Sequence, residues 1–220
     1  MQGNHGKRSA AFWARGFIVL GALVGLGVSA WPSEAAPFAY VTADSRSNPG
    51  IVSVIDTATN PPTVVAAVPV GNPPQGVAVT PDGERVYVVD GGHSNVNGGK
   101  SNVSVIDTAS NIVVATVPVG IFPLGVAITP DGAHAYVANT SSNNVSVIDT
   151  ASNIVAATVP VGSGPIGVAV APDGAHAYVT NGNTGTVSVI ATASNTVMAT
   201  VAVGITPEGV AITPDGAHAY

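Results

Sequence analysis

The 220-residue chain contains no cysteine, which excludes a disulfide framework, a thiolate metal site, a cysteine nucleophile and a lipid-modified N-terminal cysteine. Charge is nearly as scarce: Asp, Glu, Lys and Arg make up 8% of the residues, against roughly 25% in an ordinary soluble protein. A charge-solvated disordered tail is therefore excluded. What charge there is leans acidic, with a formal net charge of −6; from residue 36 onward only Arg46, Arg85 and Lys100 face eleven acids. The basic stripe that nucleic acid requires is missing. Aromatics are 5% of a chain that is 46% hydrophobic, and 26 Gly and 17 Pro punctuate it throughout. Long helices are not expected, and short Val- and Ile-rich strands are.

The N-terminus stands apart. Residues 1–16 carry Lys7, Arg8 and Arg15 and no acid, Phe17–Ala30 is an unbroken run of apolar and small residues, and Trp31–Ala36 supplies small residues suited to cleavage. This three-part layout predicts a secretory signal over residues 1–35, cleaved after Ala35 or Ala36. The alternative is an uncleaved anchor. Either places the domain outside the cytoplasm: periplasmic, secreted or at the cell surface. The run of 14 residues falls short of the roughly 20 that cross hydrocarbon, and no later segment is both long and free of turn residues, so no membrane span is expected in the mature chain.

Residues 36–220 are a repeat domain. The hexapeptide VSVIDT recurs at 52, 103, 145 and 187, with Ala191 replacing the acid in the last copy, and Pro-Asp-Gly recurs at 81, 130, 172 and 214. After the first, lengthened interval the period is 42, and units 103–144 and 145–186 are identical at 30 of 42 positions. Within each unit four short apolar runs are separated by turn chemistry, as in 125–129, 134–138, 145–148 and 154–160. Pro-Asp-Gly combines a fixed φ, a side chain that bonds its own backbone and a residue free to take φ > 0, hence a tight hairpin; Asp149–Asn153 is a longer polar turn. Four strands per 42 residues predicts an all-β fold, a β-propeller of four-stranded blades with about four repeats present and the last incomplete.

Tyr40-Val41-Thr42, Tyr178-Val179-Thr180-Asn181, the VSVIDT strands, the Val-Pro-Val-Gly ends and the Thr-Pro-Asp-Gly turns together resemble the YVTN β-propeller repeat family, of the YncE-like or surface-layer type, over residues 38–220. The resemblance implies that the GVAIT segments are innermost, HAYVA second, VSVID third and IVATVPV outermost. It also implies seven blades, more than this chain supplies. Two arrangements stay open: a closed ring of four, in which Gly209–Thr213 completes the three N-terminal strands, or an incomplete seven-bladed ring capable of self-association. The overhang His218–Tyr220, for which a closed ring has no use, favours the second.

Few residues offer chemistry. His134, His176 and His218 share one repeat position, but equivalent positions on neighbouring blades lie about 10 Å apart, while imidazoles on one zinc bring their nitrogens within about 3–4 Å. One metal cannot bridge them. Asp56, Asp107 and Asp149, and Asp82, Asp131, Asp173 and Asp215, all have turn-forming explanations. No Ser/His/Asp order, phosphate loop, HExxH or Gly-x-Ser-x-Gly occurs, so no catalytic residue, metal site or cofactor is assigned.

The sameness breaks in two places. The long loop 90–102 carries Asp90, His93, Asn95, Asn97 and Lys100. The links between blades are 71–76, 120–125, 162–167 and 204–209; between shared Gly and Pro they place Asn72, Gln75, Phe122, Leu124, Ile166 and Glu208 at the expected channel mouth. A concave, mostly apolar mouth with a few polar groups is a default ligand site. The expected function is a binding or interaction scaffold recognising a protein or small molecule through these loops. Two alternatives accompany it. One is a metal-dependent lactonase-like hydrolase, implied by the resemblance, for which only Glu208, Gln75 and Asn72 can be nominated. The other is a fragment of a longer propeller without activity of its own.

Overall fold

The computed structural model describes residues 38–43, 49–71, 73–91 and 101–220. The expected leader and the candidate residues Asn72, His93, Asn95 and Asn97 lie outside the described residues. Those described fall in one compact unit, residues 34–220, and no helix among them is long and apolar enough to cross a membrane.

Fifteen strands form four antiparallel sheets, each a meander in chain order. The first sheet has three strands, β1 (Phe38–Ala43), β2 (Gly50–Asp56) and β3 (Thr63–Val70). The second contains β4 (Pro74–Val79), β5 (Arg85–Asp90), β6 (Asn102–Asp107) and β7 (Ile112–Pro118). The third contains β8 (Pro123–Ile128), β9 (His134–Asn139), β10 (Asn144–Asp149) and β11 (Ile154–Pro160). The fourth contains β12 (Pro165–Val170), β13 (His176–Asn181), β14 (Thr186–Ala191) and β15 (Thr196–Ala202). The strands β4, β8 and β12 contact one another in series, while β3, β7, β11 and β15 lie at the far edges. GVAIT-type strands are therefore innermost and the order expected from the resemblance holds. Ala211 exchanges backbone hydrogen bonds with Tyr220 (3.0 and 2.8 Å), so Gly209–Thr213 pairs with the residues that follow it. Among the described residues it does not complete the first sheet.

Period-two alternation explains why both faces of a blade are apolar. In β5, Val86 and Val88 pack toward the first sheet with Val52, Val54 and Val68, whereas Tyr87 and Val89 pack toward the third with Ala135, Val137 and Ile148. The next joint repeats the arrangement one period on: Tyr136, Ala138, Val145, Val147 and Val159 against Ala177, Val179 and Ile190. Three sheet-on-sheet joints thus hold three clusters, and buried strands read as near-continuous apolar runs because neither face meets water. Each third strand also carries a bulge against its outer neighbour at the same place, Val54/Ile55, Val105/Ile106, Val147/Ile148 and Val189/Ile190, a built-in feature of the repeat.

The turns explain the motifs. In the hairpin of the third sheet, the Asp131 carboxylate accepts from the Thr129 hydroxyl (2.6 Å) and the Ala133 N–H (3.0 Å). These bonds hold Asp131 below the usual carboxylate range, the threonine bond first. In the longer turn, the Asp149 carboxylate accepts from the Ser152 N–H and hydroxyl (2.7 and 2.6 Å), and Asn153 takes the left-handed conformation at φ 54°, which asparagine tolerates better than most residues. Asn153 has a second role: its Oδ1 accepts from the Tyr87 hydroxyl of the preceding blade at 2.9 Å. Asn195, at φ 52°, does the same for Tyr136 at 2.8 Å. Burial pushes the Tyr87 phenol up to about 12. At the first joint the pattern is interrupted, since the Oδ1 of Asn111 is buried without a partner.

The Tyr87–Asn153 bond yields a measurable expectation. Asn153→Gly keeps the left-handed backbone and removes the acceptor, and should lower stability by about 1–3 kcal/mol in urea unfolding. Adding Tyr87→Phe should cost less than the sum of the two single changes, because one bond is lost once. Strict additivity would show that the two side chains are uncoupled.

Candidate functional site

The links between blades form the inner edge of the stack. Each runs Gly-x-x-Pro-x-Gly into an innermost strand, and its final glycine is required by close approach of backbones. A Cβ on Gly76 would lie 2.5 Å from the Leu124 carbonyl, and one on Gly125 would lie 2.5 Å from the Ile166 carbonyl; Gly167 meets the Glu208 carbonyl in the same way. Consecutive inner strands touch main chain to main chain there, so Gln75, Leu124, Ile166 and Glu208 occupy successive positions of a single stripe. Threonine hydroxyls of second strands tie that stripe at two places, Thr42 to the Gln75 carbonyl (3.0 Å) and Thr180 to the Glu208 carbonyl (2.7 Å), and Thr140, just past β9, donates to the Pro165 carbonyl before it (2.7 Å). Thr180 also accepts from the Gly167 N–H at 2.8 Å.

Phe122 sits one step before the stripe. Its backbone is left-handed at φ 54°, the equivalent Gly164 is at 68° and the equivalent Thr206 at 52°. Glycine takes this conformation freely, whereas a phenylalanine or threonine pays about 1 kcal/mol or more in strain. The Phe122 N–H donates to the Ser101 hydroxyl (3.2 Å) and its carbonyl accepts from the Thr140 N–H (2.9 Å), which fixes the bend across the second and third sheets. The first link departs from the others, since proline at 73 cannot adopt positive φ.

The structure places Gln75, Phe122, Leu124, Ile166 and Glu208 along one edge, and Asp90 borders that edge through its pairing with Pro74 but is turned into the blade. Asp90 closes β5 and is buried. One carboxylate oxygen accepts from the Ser104 hydroxyl at 2.7 Å, and the group also accepts from the Gly71 N–H; Oδ1 has no partner. It is a polar group inside the blade, tucked over Gly71, where a Cβ would meet its Cγ at 2.5 Å. Asn139 and Asn181 occupy the equivalent place and donate to Ser146 and Ser188, both at 2.9 Å. Desolvation pushes the Asp90 carboxyl up to about 6, against the pull of its two hydrogen bonds.

The histidine position is ordinary cross-strand pairing. Arg85 stands opposite Asp107 and bridges it at 2.6 Å, His134 stands opposite Asp149, and His176 opposite Ala191. Among the described residues no three His, Asp or Glu side chains gather closely enough to hold a metal ion, and Gln75 and Glu208 are separated along the stripe by β8 and β12.

Stacked four-stranded antiparallel meanders with their first strands innermost define a β-propeller fold. The comparisons agree: the family model described as YNCE-like beta-propeller matches residues 127–218, in line with the resemblance carried by the motifs. Among solved structures, hydrazine synthase of Kuenenia stuttgartiensis is similar at 30% identity and TM-score 0.59, over 65% of this chain and 40% of that one. A functionally unknown protein from Desulfotomaculum acetoxidans shares the fold at 24% identity and TM-score 0.72, over 82% of this chain and 57% of that one. The chain thus spans about half the length of these two structures. No curated protein matches it.

Asp90 provides a pH test. Its carboxyl titrates higher in the fold than in the unfolded chain, so protonation favours folding. The contribution is fully present below about pH 4 and is lost as pH rises through about 6. Asp90→Asn, which copies Asn139 and Asn181, should raise stability at pH 7.5 by an amount on the order of 2 kcal/mol. The gap should close by pH 4; equal melting temperatures of the two proteins at both pH values would contradict this assignment.

Proposed function

We propose that this chain is an extracytoplasmic β-propeller scaffold that recognises a partner through the edge formed by its inter-blade links. The observation that carries the reading is the contrast along that edge. The main chain repeats from link to link, close glycine contacts included, while the side chains set on it do not: Gln75, Leu124, Ile166 and Glu208 in the stripe, and Phe122, Gly164 and Thr206 beside it. The strands of adjacent units keep most of their residues, and the other variable stretch is the loop 140–144, which differs from 182–186 at every position. Phe122 and Thr206 occupy positions where the backbone prefers glycine, so the variation opposes the local preference of the fold, as strain held at a functional surface does. A mixed apolar and polar edge on a rigid stack suits binding more than chemistry. The composition of the N-terminal 35 residues supports the placement outside the cytoplasm.

The test is site-specific photocrosslinking in the cells that make the protein. Phe122→p-benzoylphenylalanine and Leu124→p-benzoylphenylalanine should each give the same discrete adduct, whereas Glu84→p-benzoylphenylalanine, at the opposite end of β4, should not. Adducts of equal yield from all three positions, or from none, would defeat the reading. Separately, Phe122→Gly should raise stability by about 1 kcal/mol in urea unfolding while removing the side chain from the edge.

A further inference from the structure

Where one blade passes into the next, a glycine of the outgoing chain lies directly on the polar side chain that ends the next blade's second strand. A Cβ on Gly71 would meet the Asp90 Cγ at 2.5 Å, one on Gly120 the Asn139 Cγ at 2.7 Å and one on Gly162 the Asn181 Cγ at 2.6 Å. Just past each side chain a backbone bond fastens the strand end to the incoming chain. The Gly91 N–H donates to the Pro73 carbonyl (2.9 Å), the Thr140 N–H to the Phe122 carbonyl (2.9 Å) and the Gly182 N–H to the Gly164 carbonyl (2.8 Å). These are three clasps of one design, and what they enclose differs in one respect: Asn139 and Asn181 cannot ionise, and Asp90 can. All three side chains are buried, and each has an Oδ1 without a hydrogen-bond partner. For a neutral group a bare oxygen is a modest penalty; a carboxylate left with one carries a charge that only water or a counter-charge offsets.

Among the described residues nothing supplies that counter-charge. The elements packed on Asp90 are the end of the first sheet, β4 and β6. Neither β3 nor β4 holds a titratable side chain, and the one acid of β6, Asp107, stands at its far end opposite Arg85. The Ser104 hydroxyl and the Gly71 N–H are the donors that reach the carboxyl. His93 and Lys100 lie in the loop outside the described residues. A protonated Asp90 therefore suits the niche as an amide does, whereas an ionised one draws water. Gly71 rests on the carboxyl and is itself only half-buried, so parting the two is the shortest route in. The same clasp positions Gln75: its carbonyl is held by Thr42 at 3.0 Å, and its Cγ lies 3.0 Å from where a Cβ on Gly91 would stand.

We propose that the clasp formed by Gly71, Pro73, Asp90 and Gly91 is operated by pH, closing while Asp90 is neutral and opening to water once it ionises, while the equivalent clasps over Asn139 and Asn181 stay shut. This rests on the reading of the inner stripe as the recognition edge and adds a regulation to it: Gln75 is held in line with Leu124, Ile166 and Glu208 in acid and released toward neutrality. Linkage sets the sign and the range. The closed form binds the proton more tightly than the open one, so opening is suppressed below about pH 4, grows through the interval above it and levels beyond about pH 6, a change on the order of a hundredfold.

The test is residue-resolved amide hydrogen exchange on the full chain between pH 4 and pH 7.5, corrected for intrinsic exchange rates. Protection of the Gly91 amide should fall by about a hundredfold across that interval, while the equivalent amides of Thr140 and Gly182 keep theirs. Asp90→Asn should hold Gly91 protected throughout, Asn139→Asp should transfer the pH dependence to Thr140, and His93→Gln should leave the parent profile in place. Identical pH profiles for the three amides, a dependence that survives Asp90→Asn, or one that vanishes with His93→Gln would each overturn the clasp. Recognition is read separately, by the photoadduct of Gln75→p-benzoylphenylalanine in washed cells, which should be strong at pH 4.5 and weak at pH 7.5 while that of Leu124→p-benzoylphenylalanine is unchanged. Equal Gln75 adducts at both pH values would overturn the regulation of the edge. Absence of adducts from both positions at either pH would instead defeat the recognition edge, with the exchange profiles still deciding for or against the clasp.

Discussion

Everything in this molecule depends on the joint between one sheet and the next. A four-stranded meander with valines on both faces cannot stand alone in water, and sheets of this kind gain stability only by stacking. The joint combines two interactions of different character. Interleaved valines and isoleucines supply non-directional burial, while the tyrosine-to-asparagine hydrogen bond, from Tyr87 to Asn153 and from Tyr136 to Asn195, fixes where one blade sits along the other. The asparagine can accept that bond because the same residue terminates a turn in the left-handed conformation, so local turn chemistry and long-range registration rest on one side chain.

The edge proposed for recognition lies at the inner side of the blades. Where inner strands meet through glycine, no side chain separates their backbones, and the edge is as regular as the repeat itself. Residues that differ between links are thereby presented at a fixed interval on a surface that does not reshape around them. The turns at the other end of the strands have less of this freedom: Asp131 accepts from the Thr129 hydroxyl and the Ala133 N–H, the hairpins at Thr80 and Thr213 repeat the threonine bond, and only Ala171 leaves Asp173 without it. Between units 103–144 and 145–186 the differences fall mostly on this edge and on the loop 140–144, which differs from 182–186 at every position.

Most of the fold was legible in the residues. Period, strand order and turn types followed from VSVIDT, Pro-Asp-Gly and the alternation of valine with small residues, because each is a local signal. Of the candidate site, Gln75, Phe122, Leu124, Ile166 and Glu208 were found by looking for departures from the repeat, and their common edge is the consequence of equal spacing. Asp90 borders the long loop in sequence and closes β5 in space, and its burial there matches that of Asn139 and Asn181, with which it aligns. The tyrosine bonds escaped because partners 59 and 66 residues apart are visible only once blades are stacked, although Tyr and Asn recur in step. The arrangement of the ends was not legible either, since one strand sequence serves equally beside any second strand.

The bulge and the alternation of faces divide each 42-residue unit between two joints, half of its side chains belonging to the one before and half to the one after. The heritable module is consequently the joint and not the blade. A duplication that starts anywhere within the unit and spans one full period adds one whole joint, with its tyrosine, its asparagine and both valine faces, and disturbs none of the others. Such an array can lengthen by whole periods while every existing joint keeps its partners.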